Sequence, residues 1–442
     1  MILPVILYAI LFMAAVIAPL RWSMVAYLVL STVDFGATNA DIGLLNAAKG
    51  IVLPAYLLWR LRAYSGHERT IVAPVSWILL VIYAAIAGFW SFFPLAALKL
   101  VGHMIGSLLI CMVFLRAAKG GYLTSSAVLP VTVGAIAIAV LRSVFMPKYG
   151  DEPARFTAFS SAQSFAAFIA ALYCIALCSK GLRSSVRIPL CALLAATLFL
   201  DGSRIWAIGI ALVTLFALLI SDARFWVKIC GVGIAVAIAA VLAASADQVM
   251  AFLAQHAESN RIAAAVSAVY EGDVKSYGLG TYKFRRGLDA KEIGAITDSS
   301  PTQLLFGHGT SNGALVITGS LFKADLDPNR LMHNEWLRVI YEWGLIGLIL
   351  WLMFLGSLTI FAARGVQIDK NGNAKPLLVY IPAFLLGLAG ENIIAGAGNA
   401  VSVGFLLLIA LASISHRQPR PFFRERGVVR ISLEPAVSAG ER

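Results

Sequence analysis

The chain has 442 residues, of which 60% are hydrophobic and only 13% charged, with a formal net charge of +12. That balance excludes a soluble globular domain of this length, whose surface needs far more polar side chains. Apolar runs of roughly 18 residues or more, long enough to cross a ~30 Å hydrocarbon core, recur along it, so the expected fold is an all-α polytopic membrane protein.

In chain order the expected spans are 3–20, 22–33, 43–59, 71–93, 96–115, 126–146, 157–178, 188–201, 203–220, 226–245, 335–362, 377–390 and 399–415. These make about 13 transmembrane helices, or 12 if the short 22–33 piece is half of a hairpin or re-entrant. The first segment has no basic residue ahead of it and no small-residue cleavage site, and reads as a retained span. The organisation is therefore a bundle over 1–245, one large loop over 246–332, further spans over 333–415 and a basic, Pro- and Arg-containing tail over 416–442 that reads as disordered.

Orientation follows from basic residues in short loops. Arg60, Arg62 and Arg69, Arg116 and Lys119, Lys180, Arg183 and Arg187, Arg224 and Lys228, Arg364, Lys370 and Lys375, and the tail arginines fall on one side if the spans alternate. That side is cytoplasmic, and the loop 246–332 lies on the other. Much of the net positive charge is thus topology and attraction to anionic membrane lipid, not a signal for nucleic acid. The cysteines all lie in apolar spans and read as small core residues. Within the outer loop, "DQVMAFLAQHAESNRIAAAVSAVY" looks helical, and "EGDVKSYGLGTYKFRRGLDAKEIG" looks Gly- and turn-rich.

Ionisable residues inside spans cost roughly 2.5–3.5 kcal/mol each on insertion scales and usually face a cavity or a partner. Here they are Lys49, Lys99, His103, Arg142, Arg204, Glu335, Arg338, Glu342 and Glu391. In "HNEWLRVIYEWGLIG", Glu335, Arg338 and Glu342 fall at i, i+3 and i+7 and share one helix face, where Arg338 can pair with either carboxylate. Asn334 is the expected N-cap, which leaves His333 just outside the helix at the membrane boundary. The trio either lines the bundle interior as a site or simply locks helices together. Arg204, in "FLDGSRIW", either snorkels to the interface or binds a lipid phosphate with its planar fork of donors. In "LLFGHGTSNGA", Gly307 and Gly309 around His308 suit a tight turn or a close backbone approach.

Taken together, a late span opening with "HNEWLRVIYEWGLIGL", an upstream "SR" at a span end and a large loop containing "LFGHG" resemble the O-antigen ligase/polymerase family of bacterial membrane glycosyltransferases. The resemblance covers roughly 190–365. It implies an inverting, metal-independent enzyme of the inner membrane, with no cofactor and its site facing the periplasm. Such an enzyme moves a glycan from an undecaprenyl-pyrophosphate carrier to an acceptor hydroxyl. For a ligase the acceptor is the lipid A core; for a polymerase it is a carrier-linked repeat unit. By position, His333 matches the family's motif histidine and would be the catalytic base. Arg204 matches its span-end arginine, and Arg285 or Arg286 its loop arginine, both toward pyrophosphate. Asn334, Glu335, Arg338, Glu342 and His308 would support them.

Three other readings compete. Asp34 or Asp41 in "DFGATNAD" could serve as a base, and Asp325 and Asp327 in "ADLDPN" could hold a metal, although both are ordinary turn chemistry. A transporter or flippase would use Lys49, Lys99, Arg142 and Glu391 along a path, but repeated halves with interrupted helices are not evident.

Overall fold

The computed structural model describes residues 2–33, 45–62, 75–145, 156–159, 162–180, 182–221, 280–321, 332, 334–368, 372–389 and 400–415. The expected span 226–245, the helical-looking start of the outer loop, the tail, Arg69, Arg224, Lys228, Lys370 and Glu391 lie outside them. So do Asp34, Asp41, Asp325, Asp327 and His333.

Most of the described residues are helical, and none of them lies in a strand. The first half comprises α1 (Ile2–Ile17), α2 (Leu20–Leu30), a π-helical turn Ala48–Val52 running into α3 (Leu53–Arg62), α4 (Val75–Ala87), α5 (Pro94–Lys119) and α6 (Val128–Phe145). Then follow α7 (Ala162–Cys178), α8 (Ser184–Asp201) and α9 (Arg204–Leu219). Beyond them come α10 (Gly280–Thr297), α11 (Pro301–Phe306), α12 (Gly313–Leu321), α13 (Glu335–Ile368), α14 (Lys375–Leu388) and α15 (Ala400–Ser415). Every expected span except 226–245 coincides with a helix. Four of these helices, Pro94–Lys119, Ser125–Phe145, Ser184–Asp201 and Glu335–Ile368, are long and apolar enough to cross a membrane.

Two helices are apolar all round and sit at the centre: α7 and α15 are buried along nearly their whole length, and α15 packs on both α5 and α7. Peripheral helices show the opposite pattern. On α1, Ile6, Ile10, Met13 and Ile17 stay exposed at helical spacing, as do Leu345, Ile349, Leu352 and Ile360 on α13. Apolar stripes of this size in water would drive aggregation, so their solvent is hydrocarbon. This is a membrane protein.

Small residues set the closest helix approaches. Gly209 of α9 faces Ala383 of α14, and Gly387 faces the Trp206 ring, which stacks on Tyr380 with centroids 5.8 Å apart. Without a hydrophobic drive between helices in lipid, this close van der Waals fit supplies the attraction. It fixes the start of α9, where Gly202 (φ +74°) ends α8 and Arg204 begins the next helix.

The two ends of the bundle differ. At one, Arg60 donates to the Val16 and Ala18 carbonyls at 2.8 and 3.0 Å, satisfying acceptors that the end of α1 leaves open. At the other, the α4–α5 turn meets the segment 306–312.

One expectation is corrected. The Gly-rich stretch before residue 294 is helical from Gly280 onward, not turn-like. Its glycines are spaced by seven residues, and a Cβ at Gly287 or Gly294 would meet open space. A different face carries Leu288, which is buried with Ile317, Met332 and Tyr341. Packing of that face overrides the low helix propensity of glycine.

Candidate functional site

The start of α13 holds the densest polar cluster among the described residues. Asn334 caps it: its Oδ1 accepts the N–H of Trp336 at 3.1 Å and of Leu337 at 3.4 Å. Glu335, Arg338 and Glu342 are all fully buried. Arg338 pairs with Glu335, and its guanidinium also lies 5.9 Å from the Trp343 ring centre. The expected second pair does not form. Glu342 turns instead to the preceding helix, where its Oε1 accepts the N–H of Gly313 at 3.2 Å, at the first residue of α12. A carboxylate there meets open amide donors and the positive end of the helix.

Two residues later the helix breaks. Gly344 sits at φ +62°, ψ −163°, which interrupts the hydrogen-bond ladder of α13. The carbonyls freed by that break must find other donors, since in a membrane protein water cannot be relied on to supply them. The "LFGHG" turn supplies them. His308 N–H donates to the Tyr341 carbonyl at 2.8 Å, and Gly309 N–H to the Glu342 carbonyl at 3.0 Å. The crossing leaves no room for side chains. A Cβ on Gly307 would fall on the Glu342 carbonyl, and one on Gly344 would press on Leu305 and Gly307 backbone atoms. Both glycines also have positive φ. They are required twice over, by conformation and by space.

The turn is fastened on its other side to the α4–α5 connection. Thr310 donates its hydroxyl to the Ala84 carbonyl at 2.6 Å and accepts the Trp343 indole N–H at 3.0 Å. Asn312 Oδ1 accepts the Phe92 N–H at 2.9 Å, and its Nδ2 donates to the His308 carbonyl. Ser91 Oγ lies 2.6 Å from the Thr310 carbonyl. Three segments remote in sequence thus form one polar knot.

The His308 ring stacks on Tyr341 with centroids 4.2 Å apart and an 11° interplanar angle. Its Nε2 is 2.7 Å from Ser299 Oγ. Burial pushes its pKa below the ordinary histidine value of 6.5, which favours the neutral ring. Met332, the residue before His333, packs against Gly313 beside the Glu342 carboxylate.

Of the residues singled out in the sequence, Asn334, Glu335, Arg338, Glu342 and His308 are brought together here. Arg204 is the first residue of α9, and Arg285 and Arg286 lie in the second turn of α10; their side chains, like all of His333, are outside the described residues. Lys49 stands apart, buried near the end of α2, with Nζ donating to the Val33 carbonyl at 3.0 Å. Arg142 donates to the Thr157 carbonyl at 3.3 Å. Sequence reasoning missed Ser91, Ser299, Thr310, Asn312 and Tyr341. Only the polar run "GTSNG" directly after the glycines hinted at two of them. Compared with protein-family models and with curated proteins, the chain matches none.

Proposed function

We propose that the chain is a glycosyltransferase of the O-antigen ligase/polymerase type. In this reading it crosses the bacterial inner membrane 12–13 times and works at the periplasmic face. It moves a glycan from undecaprenyl pyrophosphate to an acceptor hydroxyl, with the lipid A core as the acceptor of a ligase. The observation that supports it is the union of the two stretches on which the resemblance rests: the "LFGHG" turn is bonded to the break in the "HNEWLRVIYEWG" helix. Met332 brings the chain to this knot one residue before His333. The knot also lies at the end of the bundle opposite to Arg60 and the other basic turns.

The roles follow from residue chemistry. The acceptor oxygen attacks the anomeric carbon while the His333 imidazole takes its proton. The bond from that carbon to the carrier phosphate breaks, and pyrophosphate leaves with the electron pair. Arg204 and a loop arginine stabilise the charge that develops there. That loop arginine is Arg285 or Arg286, adjacent residues in the second turn of α10. Attack opposite the leaving group inverts the anomeric centre.

Gene deletion followed by glycan profiling tests this. Long chains stranded on the carrier, with bare lipid A core, mark a ligase; single repeats in place of a ladder mark a polymerase. An unchanged profile sinks both, and transport of labelled glycan without a new glycosidic bond would favour a flippase. His333→Ala should nearly abolish transfer with protein level intact, and full activity in that variant overturns the assignment.

A further inference from the structure

His308 is held more tightly than its turn requires. The two flanking glycines and the backbone bonds to α13 already define the turn, and none of them involves the imidazole. Yet the ring is fixed by Ser299 on one edge and by Tyr341 on one face. The Ser299 hydroxyl lies 2.8 Å from the Ala295 carbonyl, which can only accept, so its single proton points there. Ser299 Oγ must then accept from His308, which places the ring proton on Nε2 and leaves the lone pair on Nδ1. Among the described residues Nδ1 has no partner, and neither does the hydroxyl of Tyr341, a side chain only 7% exposed.

Two near-parallel rings with centroids 4.2 Å apart therefore carry an acceptor nitrogen and an adjustable hydroxyl within the span of one sugar ring. An anionic group is a poor match, because a neutral Nδ1 lone pair repels phosphate and carboxylate oxygens. An apolar ligand would leave both polar atoms unpaired, a cost of desolvation without return. Neighbouring hydroxyls on a sugar ring satisfy both. Resting on the glycosyl-transfer reading, we propose that the stacked His308–Tyr341 pair is a saccharide subsite. One sugar hydroxyl donates to His308 Nδ1, and Tyr341 Oη donates to the next.

The test uses membranes of the deletion strain carrying the full-length protein or a variant. The substrates are carrier-linked glycan and bare lipid A core extracted from that strain. Tyr341→Phe removes one hydroxyl and keeps the stacked ring. His308→Gln keeps an amide donor for Ser299 and loses the Nδ1 acceptor. Each is expected to raise KM for one substrate about five-fold with kcat little changed. Both variants should act on the same substrate, and their combination should fall short of the product of the two effects. A change confined to the carrier-linked glycan assigns the subsite to the donor, and one confined to the core assigns it to the acceptor. Unchanged KM for both substrates, or a fall in kcat alone, overturns the proposal. Absence of any transfer by the unaltered protein brings down the glycosyl-transfer reading itself, and the subsite with it.

Discussion

The apolar centre and the polar knot are built on opposite logics. In the centre, α5, α7 and α15 pack side chain against side chain, and Gly404 shows how forgiving that is. A Cβ there would meet the Phe168 ring at 3.1 Å, the Ala171 Cβ at 3.2 Å and the Phe168 Cα at 3.4 Å, a fit relieved by a ring adjustment and a few tenths of an ångström of helix shift. In the knot, backbone meets backbone: Gly307 and Gly344 cross with no side chain between them. Cores yield because rotamers adjust, whereas a hydrogen-bonded crossing of two main chains has only one arrangement. The proposed site, which has to hold an imidazole and a pyrophosphate in fixed relation, would gain from the second kind of construction.

Substitutions at these glycines give the sharpest contrast. Gly344→Ala or Gly307→Ala should unfold the knot, at a cost above about 4 kcal/mol, since each adds strain at positive φ to a clash with backbone. Gly404→Ala should cost only about 1 kcal/mol by the same thermal-unfolding measurement in detergent. Equal losses at both places would erase the distinction.

Next in size is the buried ion pair. Arg338→Leu removes the cation that the buried Glu335 carboxylate pairs with and should cost about 3–5 kcal/mol. Adding Glu335→Gln should recover a substantial part of that. No recovery would mean that Arg338 acts through its packing on Trp343.

Asn334→Ala removes the cap of α13 and should cost about 1 kcal/mol, and under the proposed function it should affect transfer relatively more than stability because the residue adjoins His333 in sequence. A loss of stability alone would separate the cap from the site.

The smallest effect is that of pH. His308 has a folded-state pKa below 6.5, so the unfolded chain binds its proton first as pH falls. Stability should be unaffected by this residue above that range and should decline as pH drops through it. His308→Gln should flatten the decline, and an unchanged slope would show that other groups dominate it.

Much of the architecture was legible in the composition and the apolar runs, because a span of lipid-facing backbone has to be helical and long enough to cross. The cap at Asn334 and the shared face of Glu335, Arg338 and Glu342 were likewise legible, since both depend on near neighbours along one helix. The partner of Glu342 was not, because Gly313 lies 29 residues earlier and reaches it only through the turn. Helix α10 escaped for a related reason: its glycines argue locally against a helix, and Leu288 argues for one only when Tyr341 and Met332 are already beside it. Hydrophobic length and local spacing are properties of the chain itself, and they determined a membrane bundle with a polar late helix. The meeting of "LFGHG" with the Gly344 break depends on which carbonyls that break releases and which amides stand opposite, and only the tertiary structure decided that.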